Sequence, residues 1–134
     1  MEDVVLTQEA VVQDGGTILL AEDDSAVRDF TAKVLAEAGY RVIKVPNGDV
    51  ALILLREGVS VDVLFTDVVM FGELDGFAMA EEAKRLRPEL RVLYTTGYPG
   101  LAFVANPARL LGPLLRKPYR PAQVLAEIGR LLAA

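Results

Sequence analysis

Five polar residues stand where apolar runs end. Glu22 and Asp23 follow Thr17-Ile18-Leu19-Leu20-Ala21, and Asp67 follows Val63-Leu64-Phe65-Thr66. Thr96 follows Val92-Leu93-Tyr94-Thr95, and Lys117 follows Leu114-Leu115-Arg116 and precedes Pro118. If these runs are neighbouring parallel strands, their carboxyl ends meet at one edge of a sheet, where open α/β sheets bind ligands. Three carboxylates, a hydroxyl and an ammonium would then face one another. Converging carboxylates repel unless a cation joins them. Mg²⁺ does this and keeps positions open for water or phosphate oxygens. Asp67 is then placed to act as a nucleophile toward phosphorus. Transfer of a phosphoryl group is mainly a matter of positioning and charge. The cation would hold one phosphoryl oxygen, Lys117 another and the Thr96 hydroxyl a third. Gly97 leaves the approach open.

Composition narrows the chemistry further. The chain of 134 residues contains no cysteine and no histidine. Disulfides, thiolate metal sites, zinc sites rich in imidazole and histidine-base catalysis are all excluded. Any metal must be a hard cation held by oxygen, Mg²⁺, Mn²⁺ or Ca²⁺. The chain cannot itself carry a phosphohistidine. A net charge of −5 argues against a nucleic-acid surface. No apolar run is long enough to span a bilayer, and the acidic start, Met1-Glu2-Asp3, does not resemble an export signal. A cytoplasmic protein with no membrane contact is expected.

The elements that must position these residues can be read in order. Residues 1–16 read as an N-terminal tail ending in the turn signal Asp14-Gly15-Gly16, and residues 17–134 as one domain. Thr17 to Ala21 is continuously apolar, as a strand covered on both faces should be. Asp24 or Ser25 caps a helix with Val27, Phe30, Val34, Leu35 and Ala38 at helical spacing, stopped by Gly39. Arg41 to Val45 is a second strand. Asn47 caps a second helix that stops at Gly58. Val61 to Thr66 is a third strand. The loop Val68 to Gly76 leads to a third helix ending before Pro88. Arg91 to Thr95 and Pro113 to Arg116 are further strands, and Pro121 opens a last helix with Val124, Leu125, Ile128, Leu131 and Leu132. Between Tyr98 and Gly112 one short or distorted helix is expected. Arg85, Arg87, Glu81 and Glu82 read as a solvated face of the third helix, and Tyr119 and Phe103 as packing or partner contacts. Alternating strands and helices give a parallel sheet with helices on both faces. In the order 2-1-3-4-5, Glu22, Asp23 and Asp67 share the crevice at the switch point.

Glu22-Asp23, Asp67, Thr96-Gly97 and Lys117-Pro118, in this order and spacing, resemble the signature of response-regulator receiver domains of two-component signalling. The resemblance runs from Thr17 to the C-terminus. It implies a flavodoxin-like, doubly wound five-stranded parallel sheet with, in this chain, an irregular fourth helix. It implies that Asp67 accepts phosphate from a phosphohistidine on a histidine kinase or histidine phosphotransfer protein. Glu22, Asp23, Asp67 and the Val69 backbone carbonyl would hold Mg²⁺ (or Mn²⁺). Lys117 would contact the phosphate before a cis Lys117-Pro118 bond, and Thr96 would move toward it as the switch. The expected role is a signalling acceptor that assists its own phosphorylation and dephosphorylation, not a turnover enzyme. At this length the chain is expected to be a stand-alone receiver or one cut from a hybrid protein.

Some positions depart from the family pattern. Phe71 stands where proline is frequent, and Leu114 stands where the family has an aromatic switch residue. Val69 and Tyr98 flank the path of the hydrolytic water and are neither acidic nor amide-bearing, which implies slow phosphate loss. Two other functions compete. A haloacid-dehalogenase-type phosphohydrolase needs an aspartate two residues past the nucleophile, where this chain has Val69. A degenerate receiver would serve as a binding surface alone, against the retention of all five site residues. A dinucleotide-binding fold is disfavoured because no G-x-G-x-x-G follows the first strand.

Overall fold

The computed structural model describes residues 15–69, 75–97 and 110–133. Its elements run β1 (Thr17–Ala21), α1 (Ser25–Glu37), β2 (Arg41–Val45), α2 (Gly48–Arg56), β3 (Val63–Asp67), α3 (Gly76–Leu86), β4 (Arg91–Thr96), β5 (Leu114–Arg116) and α4 (Pro121–Ala133). All five strands are parallel and lie in the order β2-β1-β3-β4-β5, as expected. Most of the segment 98–112 where a distorted helix is expected (98–109), the place of Phe71 and Phe103, and residues 1–14 of the tail lie outside the described residues; 110–112 are not helical.

Side-chain alternation splits the core into two layers. Leu19, Ala21, Leu64, Val92 and Tyr94 face α2 and α3. Ile18, Leu20, Val63, Phe65 and Leu93 face α1 and α4. The inner strands β1, β3 and β4 are almost wholly buried. Each large aliphatic or aromatic side chain removed from water this way contributes about 1.5–3 kcal/mol. The edges are different. On β2, Arg41 and Lys44 are exposed, and the three-residue β5 is bracketed by Pro113 and Pro118.

Helix boundaries follow local chemistry. The Asp24 carboxylate accepts from the Ala26 and Val27 N–H groups, so Asp24 and not Ser25 caps α1. The Asn47 side chain accepts from Val50 N at 2.9 Å, and Asp75 from Ala78 N at 2.7 Å. The expected stops at Gly39 and Gly58 have φ of 102° and 91°.

Three expectations need correction. β3 begins at Val63, with the Asp62 carboxylate accepting the Thr17 N–H at 2.8 Å at its start; it ends with Asp67 inside the strand. On α1 the buried residues are Thr31, Ala32 and Leu35, whereas Phe30 is 55% exposed and Ala38 is on the surface. The buried stripe is therefore rotated from the apolar one, and the polar Thr31 can join it because its hydroxyl is hydrogen-bonded. Arg87 does not belong to the solvated face of α3. Its guanidinium donates to the carbonyls of Leu55 and Val59 at 2.9 and 2.8 Å, at and just past the end of α2. Glu82 does stay in that exposed face, paired with Arg85 and Arg56.

Asn47 is the cap that can be tested without touching the candidate site. Asn47→Ala is expected to cost about 1 kcal/mol, read as a lower urea midpoint with unchanged slope.

Candidate functional site

The switch point lies where β1 is flanked by β2 on one side and β3 on the other. Ala21 pairs with Thr66, so the residues just past them, Glu22 and Asp67, emerge side by side. Asp23 follows on the same turn. Carboxylate oxygens of Glu22, Asp23 and Asp67 lie within 4.8 Å of one another. Glu22 and Asp67 are buried, and Asp23 is half-buried.

Lys117 completes the group from the far side of the sheet. Its Nζ donates to Glu22 Oε1 and to Asp67 Oδ2, each at 2.8 Å. Because β4 separates β5 from β3, the lysine stem crosses β4 at Gly97. A Cβ on Gly97 would sit 3.8 Å from Lys117 Cβ, at ordinary van der Waals contact with the lysine stem. The Lys117 N–H donates to the Thr96 carbonyl at 2.7 Å, which fixes the root of the side chain. The peptide bond between Lys117 and Pro118 is cis, as expected.

The charges respond to this packing. Burial raises the Glu22 pKa above its ordinary value, and the hydrogen bonds from Lys117 and Asp24 N only partly offset it. Burial alone would lower the Lys117 pKa. Hydrogen bonds to Asp67 and Glu22, and their charges, outweigh burial and hold it well above the usual lysine range. Lys117 is therefore cationic at any working pH.

Other residues hold these groups in place. The Asp24 N–H donates to Glu22 Oε2 at 3.1 Å, and the Arg28 guanidinium to the Glu22 carbonyl at 2.8 Å. The Val69 N–H donates to Asp67 Oδ1 at 3.3 Å, and the Val69 side chain stands exposed beside the site. Gly76 brings the start of α3 against β3: its N–H reaches the Val68 carbonyl at 2.7 Å, and a Cβ there would overlap the Asp67 carbonyl. On the α1–α4 face, the Tyr119 hydroxyl is 2.8 Å from Thr31 Oγ1, and its ring packs on Phe65. Burial raises the Tyr119 pKa.

All five residues picked from the sequence thus reach one sheet edge. Glu22, Asp23, Asp67 and Lys117 are in one cluster. Thr96 is the last residue of β4 and is buried; Asp67 pairs across the ladder with Thr95, one residue earlier. Thr95 Oγ1 is buried with no hydrogen-bond partner among the described residues. Arg28, Thr31, Gly76 and Tyr119 were not legible as site-supporting residues. Only Gly76, a glycine at a helix start after a loop, carried a local signal.

The donor set suits a divalent cation. The oxygens are hard and they converge, with three carboxylates close together at the sheet edge. The same edge can accept a phosphoryl group at Asp67, with the Lys117 ammonium beside it. The acid that a phosphohydrolase of this plan would need two residues past Asp67 is the apolar Val69.

Comparison with known proteins agrees with this arrangement. Residues 18–128 match the model of the response regulator receiver domain family. The chain is 38% identical over 120 residues to the response regulator receiver protein CpdR of Brucella abortus, covering 87% of this chain and 97% of that protein. It is 34% identical over 118 residues to the sensor kinase CckA of the same organism, covering 87% of this chain but 12% of that protein. The crystal structure of a response regulator receiver protein from Sinorhizobium medicae superposes with a TM-score of 0.81 at 29% identity, covering 89% and 95% of the two chains.

The raised Glu22 pKa makes a prediction with a definite sign. A carboxyl whose pKa is higher in the fold than its ordinary 4.5 opposes folding once ionised, and stability falls as pH rises through the folded value. Glu22→Gln should therefore melt a few degrees higher than the parent in EDTA at neutral pH. It should also lose most of the melting-temperature rise that Mg²⁺ gives the parent.

Proposed function

The chain belongs to the response regulator receiver domain family, and from that premise we propose that Asp67 accepts a phosphoryl group from a phosphohistidine on a partner. The observation that carries the reading is Lys117 Nζ at 2.8 Å from both Asp67 and Glu22, beside the three converging carboxylates. As a receiver domain the chain is a component of two-component signalling. Its relatives include a free receiver protein and a sensor kinase. A histidine kinase or histidine phosphotransfer protein is the partner this implies, and the cytoplasm is the compartment. No helix among the described residues is long and apolar enough to cross a membrane.

The step is a displacement at phosphorus. An Asp67 carboxylate oxygen forms the new bond to phosphorus as the bond to the donor imidazole nitrogen breaks, and the electron pair leaves with the imidazole. Asp67 is held for this by the Val69 N–H at one oxygen and by Lys117 at the other. Lys117 supplies positive charge to the phosphoryl oxygens, and burial makes that charge worth more than it would be in water. Mg²⁺ or Mn²⁺, held by Glu22, Asp23, Asp67 and the Val69 carbonyl, would neutralise the carboxylates and the incoming phosphoryl oxygens. Thr96, at the end of β4, is the hydroxyl that would turn to the phosphoryl group and carry the change to the surface. The protein is then a signalling acceptor that assists its own phosphorylation and dephosphorylation.

Intact mass after incubation with Mg²⁺ and acetyl phosphate or phosphoramidate tests this. The parent should gain one phosphoryl adduct that requires Mg²⁺, and Asp67→Asn should gain none. A folded parent with no adduct from either donor would leave a phosphate-independent binding module. Val69 stands exposed beside Asp67, without a group to orient water. The adduct should decay slowly, and Val69→Asn should shorten its half-life several-fold, followed by the same mass measurement.

A further inference from the structure

Lys117 is linked to Tyr119 through a single residue, Pro118, and Tyr119 is tied down at two points. Its hydroxyl and Thr31 Oγ1 are 2.8 Å apart. Its ring lies on Phe65, with centroids 6.1 Å apart and planes tilted at 44°. Phe65 precedes Asp67 by two residues on the same strand face and pairs with Leu20, two residues before Glu22. The Tyr119 ring therefore rests on the layer directly beneath the two carboxylates that Lys117 grips.

Thr31 is the other half of the device. It is 1% exposed, so its bond to Tyr119 is shielded from water, and breaking it leaves a buried hydroxyl unpaired. It lies one helical turn beyond Arg28, whose guanidinium holds the Glu22 carbonyl at 2.8 Å. One face of α1 thus holds both sides of the ion cluster. Arg28 holds the acid pair, and Thr31 holds the segment that carries the lysine. Leu114 cannot do this from β5: it faces the opposite layer of the core and has no polar tip.

We propose that Tyr119, through its hydrogen bond to Thr31, is a positioning residue that holds the Lys117 ammonium over Asp67. The inference rests on the phospho-acceptor reading of Asp67 and adds two residues to it. Tyr119 does not touch the phosphoryl group; it acts by keeping Lys117 in register with Glu22 and Asp67.

The test compares Tyr119→Phe, Thr31→Val, Thr31→Ser and the Tyr119→Phe/Thr31→Val pair in the full chain, each checked for folding by circular dichroism. Adduct formation with phosphoramidate is followed across Mg²⁺ concentrations. Tyr119→Phe and Thr31→Val should each lower the maximal rate about tenfold, as small misplacements of a reacting group do. The Mg²⁺ concentration for half-maximal rate should stay as in the parent. The double variant should be no slower than either single one, and Thr31→Ser should keep the parent rate. If Thr31→Val does not fold, Tyr119→Phe carries the test, since a helical threonine can turn its freed hydroxyl to a carbonyl one turn back. Parent-like rates in Tyr119→Phe, losses that multiply in the double variant, or a Thr31→Ser as slow as Thr31→Val would each overturn the proposal. If the parent takes up no phosphoryl group, the phospho-acceptor reading fails, and the ¹⁵N resonance of Lys117 Nζ decides the positioning claim separately. It should be protected from solvent exchange in the parent and lose protection in Tyr119→Phe; equal protection in both would overturn the claim.

Discussion

The structure is organised around an imbalance of charge at the end of the sheet. Glu22, Asp23 and Asp67 converge, and a single ammonium, Lys117, is hydrogen-bonded to two of them. Without Lys117, two carboxylates buried side by side would repel across the β1–β3 junction. With it, the junction is held, and burial of Glu22 still raises its pKa. The site is thus held together while keeping three hard oxygen donors within reach of one another. Much of the surrounding detail serves this balance. Arg28 and Asp24 N hold Glu22, Val69 N holds Asp67, and the Thr96 carbonyl anchors the root of Lys117.

Topology makes that balance possible. The chain must run from β1 out to β2 and back across to β3, so two carboxylate-bearing strand ends become neighbours with no helix between them. Lys117 then has to span β4, and its stem passes Gly97, where a Cβ would lie 3.8 Å from it, at ordinary van der Waals contact. On the other side, Gly76 lets the start of α3 come against the backbone of Asp67. Of the two, Gly76 is the position that a side chain could not fill.

Much of this was legible in the sequence because it is local. Continuous apolar runs marked the buried strands, Asp24 and Asn47 stood where caps belong, and the five site residues followed the runs. What was not legible depends on residues distant in the chain. Phe30 belonged to the apolar stripe of α1 and Thr31 did not, yet Thr31 is buried, with its hydroxyl satisfied by Tyr119, 88 residues away. Arg87 looked solvated, yet it caps α2 because the end of that helix, 28 to 32 residues earlier, packs beside it. The acceptor role of the Asp62 carboxylate is likewise defined by a distant residue, Thr17. Helical and strand periodicity report which residues are apolar, not which polar groups find partners.

The two edges of the sheet have a consequence for the protein's behaviour in a crowd. An open parallel sheet offers two unpaired strand edges, and an unpaired edge is a template for adding a strand from another molecule. Here β2 presents Arg41 and Lys44 on its exposed positions, and β5 is three residues long between Pro113 and Pro118. Bringing a foreign strand to β2 brings like charges together when the newcomer is a second copy. At β5 the prolines lack the N–H that would carry a ladder beyond three residues. Sheet-to-sheet polymerisation is therefore disfavoured at both ends, and many copies can be held close together without merging their sheets. Encounters between molecules are left to helix faces and to the loops above the carboxylates.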